Sequence, residues 1–168
     1  MSMLRHPLRL NVGFLISAAV GTSRDFEFDF ERMPLGEDVL LHAFGGVAHF
    51  DRTPQGLLLQ GHFHGGIDLE CVRCLETFIY PITWEQTDLY AFDQRSLSES
   101  NLLVPEDGYI DLEPLLREYA LLEVPINPIC RPDCRGLCPV CGQNLNQADC
   151  GHRPEADSPF AALQSLLE

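Results

Sequence analysis

The spacing of seven cysteines constrains this 168-residue chain more than any other feature. A first pair stands at Cys71-Val72-Arg73-Cys74. A second group follows at Cys130, Cys134, Cys138, Cys141 and Cys150, with His152 two residues beyond the last. Within it, Gly136-Leu137-Cys138-Pro139-Val140-Cys141-Gly142 has the form of a zinc knuckle, in which a Cys-x-x-Cys turn offers two thiolates to one metal and a following glycine lets backbone amides turn toward sulfur. Seven thiolates and one imidazole supply eight ligands, enough for two closed tetrahedral sites. A closed site holds a fold together and leaves no position for a substrate water. The pattern points to a metal-stapled binding protein rather than an enzyme.

The residues allow more than one partition. One places Cys71, Cys74, Cys130 and Cys134 on one ion, and Cys138, Cys141, Cys150 and His152 on a second. The first set would close a loop of more than fifty residues, a strong restriction on the unfolded chain. The other is a single two-knuckle ribbon at Cys71, Cys74, Cys138 and Cys141. The expected cofactor is structural zinc, one or two ions, because closed thiolate sites with one histidine favour zinc over iron. Arg73, Arg131 and Arg135 stand beside these cysteines, where guanidinium offsets thiolate charge; the other reading is a small basic patch for RNA.

The formal net charge is −14, and every one of the 11 basic residues is an arginine. So negative a chain opposes phosphate backbones and suits a basic protein partner. Between Trp84 and Glu123 acidic residues outnumber Arg95 and Arg117 ten to two. An odd cysteine count and Cys-x-x-Cys spacing favour metal over framework disulfides. Arg5 and Arg9 ahead of Val12 to Val20 imitate a signal peptide, but the apolar run is short and Leu8 to Val12 alternates like a strand. No stretch is long enough to span a membrane, so the expected compartment is cytoplasmic.

Residues 8 to 20 read as a strand that becomes fully apolar. Phe26-Glu27-Phe28-Asp29-Phe30 alternates with period two. Val39 to Phe50 is a second strand loosened at Gly45-Gly46, and Leu57 to Glu70 is a long strand delivering Cys71. Thr77 to Tyr80 and Ile82 to Phe92 continue the meander. Residues 93 to 108 read as an acidic loop. Asp111 is placed to cap a helix reaching about Glu123, with Leu112, Leu115, Leu116, Tyr119 and Leu122 as its apolar face and Pro125 as its stop. From Ile126 to His152 the chain cannot build its own core and needs metal to order it. Ser158-Pro159 opens a short amphipathic tail bearing Phe160 and Leu163.

Two other constellations carry chemistry. His62-Phe63-His64 puts two imidazoles on one strand face, as a zinc-dependent hydrolase would, against the plainer reading of exposed residues flanking a buried Phe63. Cys71 and Cys74 would suit a redox protein, but their position after a long strand lacks the helix start that lowers a redox thiol's pKa.

Taken in order, Asn11-Val12-Gly13-Phe14-Leu15, Gly21 to Phe26, Leu69 to Leu75, Cys130 to Asn146 and Ser158-Pro159-Phe160-Ala161-Ala162-Leu163 resemble the YceD family, the large ribosomal RNA subunit accumulation proteins. The cysteine segment ending Asn144-Leu145-Asn146 is the most specific part. The resemblance implies a non-enzymatic bacterial factor of ribosome biogenesis, supporting accumulation of large-subunit rRNA. It also implies as partner a basic large-subunit ribosomal protein or a pre-large-subunit particle, with direct RNA contact as an alternative. Some members keep the first cysteine pair without the Cys-Pro-x-Cys knuckle, which groups Cys71 and Cys74 with Cys130 and Cys134. Members with the knuckle often end in Cys-x-Cys, where this chain has Cys150-Gly151-His152. No catalytic residue is implied.

The expected fold is therefore α+β. An antiparallel, twisted sheet covered by a helix occupies residues 1–125, a zinc-organised lobe residues 126–152, and an amphipathic tail residues 153–168.

Overall fold

Alternation dominates the structure, a computed structural model that describes residues 7–97 and 100–152. Four long strands, β2 (Ser23–Leu35), β3 (Val39–Arg52), β4 (Gly56–Glu70) and β5 (Thr77–Ala91), form one sheet in the order β2-β3-β4-β5. The β2–β3 and β3–β4 pairs are antiparallel. The architecture is mostly antiparallel sheet with few helices, the α+β class expected. The C-terminal tail expected at Ser158-Pro159 lies outside the described residues.

The chain divides into two compact units. Unit 1 comprises residues 7–69 and 78–128 of the described chain, and unit 2 comprises residues 70–77 and 129–152.

In unit 1 the period-two pattern sends large apolar side chains to one face. Phe44, Phe50, Phe63, Leu57 and Leu59 are all fully buried or nearly so. Phe44 stacks on Phe63 with centroids 5.9 Å apart, and Trp84 lies 5.5 Å from Phe63. Such aromatic pairs add to the burial energy of their large surfaces. The expected loosening at Gly45-Gly46 is a β-bulge: the β3–β4 register shifts between His42 and Gly45, and Ala43 takes a φ of 48°. A Cβ on Gly46 would lie 2.2 Å from the His62 carbonyl oxygen, so only glycine lets the strands meet there.

The apolar run after Asn11 departs from the strand expected. β1 (Arg9–Asn11) is three residues long, and α1 (Gly13–Ile16) follows. The Asn11 carboxamide oxygen accepts the Gly13 N–H at 3.0 Å, a local turn that competes with strand extension. Burial then stops alternating: Val12 and Leu15, three residues apart, are both fully buried, and Phe14 between them is half-exposed. β1 pairs antiparallel with β6 (Tyr109–Asp111), joining residues about a hundred apart in sequence where a loop and a helix start were expected.

The helix α2 (Glu113–Leu122) begins where Asp111 Oδ1 accepts the Glu113 N–H at 3.0 Å. Leu112, Leu116 and Ala120 are buried in the apolar cluster. Leu122, expected on the apolar face, is 73% exposed. The i, i+4, i+8 row is completed by Ala120 instead, a small residue that composition-weighted reading passes over. The Arg117 guanidinium bonds both Asp38 oxygens, at 3.2 and 2.6 Å, and Glu113 Oε1 accepts the Gly36 N–H at 2.7 Å, which fastens α2 to the β2–β3 turn. No helix among the described residues is long and apolar enough to cross a membrane.

Candidate metal centre

Unit 2 gathers all eight ligand-type residues into two groups of four. Cys71, Cys74, Cys130 and Cys134 form one, and Cys138, Cys141, Cys150 and His152 the other, with the ligand atoms of each group all within 4.8 Å of one another. This is the two-site division, not the single ribbon of Cys71, Cys74, Cys138 and Cys141.

The first pair sits in the turn between β4 and β5. The Cys71 N–H donates to the Glu76 carbonyl at 3.0 Å, and the Leu75 N–H donates back to the Cys71 carbonyl at 2.9 Å. Cys130 and Cys134 come from an irregular segment closed by the Cys134 N–H to the Arg131 carbonyl at 3.1 Å. The sulfurs of Cys71 and Cys134 lie 3.8 Å apart, and those of Cys74 and Cys130 lie 3.7 Å apart. These spacings are too long for disulfides, whose sulfurs sit about 2 Å apart. They match the edge of a tetrahedron drawn around a zinc with bonds of about 2.3 Å, which is roughly 3.8 Å. All seven cysteines are free. Cys71, Cys74 and Cys134 are buried, and four soft sulfur donors in a closed buried group suit zinc.

The second group repeats the turn. The Gly142 N–H donates to the Cys138 carbonyl at 2.9 Å, and the Cys138 N–H donates to the Gln143 carbonyl at 2.8 Å. His152 Nδ1 is 3.4 Å from Cys150 Sγ. This group is more open: Cys138 is buried, but Cys141 and His152 are exposed.

Electrostatics primes one thiol in each group. At Cys71 burial opposes the thiolate, but backbone N–H groups of Cys130, Cys74 and Arg73 overcome it and bring the thiol to about 6. At Cys138 the N–H groups of Cys141 and Val140 lead, against burial, and the thiol again falls to about 6. Burial and then the neighbouring sulfurs push Cys130 up to about 12. At Cys150 the His152 N–H favours the thiolate, yet Cys138 and burial outweigh it and raise the pKa. Sulfurs so close repel one another as anions. A divalent cation among them reverses that repulsion and lets all deprotonate.

Around the first group lie residues to which the sequence analysis gave no role. Asn146 Nδ2 donates to Cys134 Sγ at 3.4 Å, while its Oδ1 accepts the Arg135 N–H at 2.8 Å. Gln147 Nε2 donates to Glu76 Oε1 at 2.8 Å, and the other Glu76 oxygen lies 4.0 Å from Cys74 Sγ. In the sequence the signal is the Asn144-Leu145-Asn146 segment, whose reach to sulfur depends on the fold that brings Asn146 to Cys134. Arg73 donates to the Cys134 carbonyl at 3.1 Å, and Arg131 lies 3.5 Å from Asp133 Oδ1, so both serve local structure.

His62 and His64 lie elsewhere, exposed on β4 in unit 1. His62 Nδ1 faces Glu85 Oε1 at 3.2 Å, both side chains being at least 70% exposed. No group of three or more metal-ligating side chains among the described residues includes either histidine.

A family model described as large ribosomal RNA subunit accumulation protein YceD matches residues 59–167, a span that contains both cysteine groups. An uncharacterized protein of Mycobacterium tuberculosis is 35% identical over 122 residues, covering 70% of this chain and 58% of the relative. The chain thus spans about three fifths of the length of that relative. The chloroplastic YCED homolog 1 of Arabidopsis thaliana, described as a large ribosomal RNA subunit accumulation protein, is 41% identical over 66 residues, 38% of this chain and 20% of the relative. An uncharacterized protein of Bacillus subtilis is 28% identical over 124 residues, 71% of this chain and 66% of the relative. No solved structure matches.

Proposed function

The chain belongs to the YceD family of large ribosomal RNA subunit accumulation proteins, and from that premise we propose that it is a non-enzymatic ribosome-biogenesis factor that supports large-subunit rRNA accumulation. The observation that carries this reading is the family match over residues 59–167, which encloses both four-residue ligand groups. In the proposal each group holds one structural zinc. Cys71, Cys74, Cys130 and Cys134 hold the first, and Cys138, Cys141, Cys150 and His152 the second. Zinc would supply folding energy to a segment with almost no regular secondary structure, as it does in small metal-stapled domains.

The partner in this reading is basic. A net charge of −14 repels an unshielded phosphate backbone and attracts a cationic ribosomal protein. Holding such a protein soluble until it meets its rRNA would protect both from premature association. The factor then works where large-subunit rRNA is made, in a bacterial cytoplasm or its organellar equivalent. Direct contact with pre-ribosomal RNA, through the arginines of unit 2, is the competing form of the same function.

Deleting the gene in its own host tests the reading. The ratio of large- to small-subunit rRNA should fall, and the wild-type chain should restore it while a Cys71→Ser/Cys74→Ser variant should not. An unchanged ratio would contradict the function. Affinity purification at moderate salt that recovers pre-rRNA but no basic ribosomal protein would replace the protein partner with RNA.

A further inference from the structure

The two ligand groups of unit 2 share one short hairpin. Leu137 and Asn144 form an antiparallel bridge, the Leu145 N–H donates to the Gly136 carbonyl at 2.9 Å, and the Cys138 N–H donates to the Gln143 carbonyl at 2.8 Å. The tip of this hairpin carries Cys138 and Cys141 of the second group. Its base is fastened to the first group, because Asn146 Nδ2 donates to Cys134 Sγ at 3.4 Å while Asn146 Oδ1 accepts the Arg135 N–H at 2.8 Å.

A second link runs through Arg73, which stands between Cys71 and Cys74. Its carbonyl accepts the Leu137 N–H at 3.0 Å, one residue before Cys138, and its guanidinium donates to the Cys134 carbonyl at 3.1 Å. Gly136 lets this contact close. Its φ is 75°, and a Cβ there would lie 3.0 Å from the Arg73 carbonyl oxygen and 3.4 Å from the Arg73 Cβ. Any other residue both strains the turn and pushes the two knuckles apart.

Among the described residues no helix or strand follows α2. The hairpin therefore has little to order it besides the ligand groups at its two ends. An ion in one group fixes the hairpin, and the ion in the other then meets ligands it no longer has to order.

We propose that the two groups bind zinc with positive coupling, carried by the 136–145 hairpin and by the contact of the Arg73 peptide with Gly136 and Leu137. The proposal rests on the reading that each group holds one zinc, and adds that neither does so independently. Loss of the ion from the more open second group then loosens the buried first group, although no ligand is shared.

The test is zinc titration of the full, reduced, metal-free chain against a competing chelator. Cobalt(II) serves as a second probe, because its absorption separates a four-sulfur site from one with three sulfurs and a nitrogen. Cys150→Ser, which removes a ligand of the second group only, should weaken zinc at the first by about 5- to 150-fold, the usual range for coupled sites. Cys74→Ser should weaken the second group by a similar factor, since coupling of binding free energies is reciprocal. In a Gly136→Ala background the effect of Cys150→Ser on the first group should shrink to within about twofold, the limit for independent changes. Gly142→Ala is the control: its φ is also left-handed, at 74°, but a Cβ there meets open space, so the effect of Cys150→Ser should stay at its wild-type size. First-group affinity that ignores Cys150→Ser would overturn the proposal, whether or not Gly136→Ala protein folds. Equal losses of coupling in Gly136→Ala and Gly142→Ala would overturn the route through Arg73. Two ions bound independently would remove the coupling and leave the two-zinc reading standing; a single ion in the wild-type chain would remove both.

Discussion

Leu75 occupies in the first cysteine turn the place that Gly142 occupies in the second. Each follows its Cys-x-x-Cys pair, each has a left-handed φ (60° and 74°), and each donates its N–H to the carbonyl of the pair's first cysteine at 2.9 Å. The turn demands that conformation, and glycine adopts it without the steric penalty a Cβ brings. Leu75 bears that penalty while 56% exposed, so its side chain returns little burial energy.

Leu75→Gly should therefore stabilise unit 2. Relief of the left-handed strain, about 1–2 kcal/mol, exceeds the extra unfolded-state entropy of glycine, about 0.5–1 kcal/mol. The converse change, Gly142→Leu, should destabilise by a similar amount, since a Cβ there meets open space and only the backbone strain counts. Chemical denaturation of zinc-loaded protein measures both. A fall in stability for Leu75→Gly would show that the leucine side chain holds a contact worth more than the strain.

Asn146→Ala should lower zinc affinity at the first site by about 10- to 100-fold, the usual effect of removing a hydrogen bond that orients a ligand. Its amide donates to Cys134 Sγ while its oxygen accepts the Arg135 N–H, so the one side chain fixes both the sulfur and the backbone behind it. Competition with a chromophoric chelator reads the change. Equal affinity would mean that the remaining bonds of the segment position Cys134 unaided.

The two sites should empty at different rates. Chelator reaches the exposed Cys141 and His152 before the buried Cys71, Cys74 and Cys134. Zinc release should be biphasic, and Cys150→Ser should abolish the fast phase alone. A single phase that Cys150→Ser leaves unchanged would contradict the assignment of the faster site.

His49 makes unit 1 sensitive to pH. The bond to Asp25 leads in raising its pKa above the ordinary 6.5, with Asp51 at 3.1 Å adding to it and burial opposing. A raised folded pKa contributes stability that is fully present below the unfolded value and is lost as pH rises through the folded one. The advantage of wild type over His49→Gln should thus be largest below pH 6.5 and shrink as pH rises above it. The pair is partly exposed, so the effect is modest. Urea midpoints at acid and alkaline pH measure it; a constant difference would remove His49 from the account.

Much of this was legible in the sequence because the physics was local. Phe26, Phe28 and Phe30 alternate, and they lie on a strand as read; Thr77 to Tyr80 and Ile82 to Phe92, read as successive pieces of the meander, form the single strand β5, which ends at Ala91. The cysteine spacing limited the ligand groups to a few, and one of them sets Cys71 and Cys74 with Cys130 and Cys134, the four whose sulfurs the structure brings within 4.8 Å of one another. What escaped depends on contacts between distant residues or on a few atoms. The short apolar run Gly13 to Ile16 is ambiguous between strand and helix, and the Asn11 side-chain bond tips it to helix. β6 is three residues long and exists only because β1 pairs with it. Ala120 fills a helix row where Leu122 was expected, because position on the turn outweighs size. Asn146 stood in plain view, but its bond to sulfur needs the fold that brings it to Cys134.

Metal content per chain, by elemental analysis of protein purified under reducing conditions without added metal, tests the central claim most directly. The account expects two zinc ions per chain, falling to one in Cys150→Ser with the fold retained. One zinc in the wild-type protein, or none with disulfides formed among the cysteines, would contradict it.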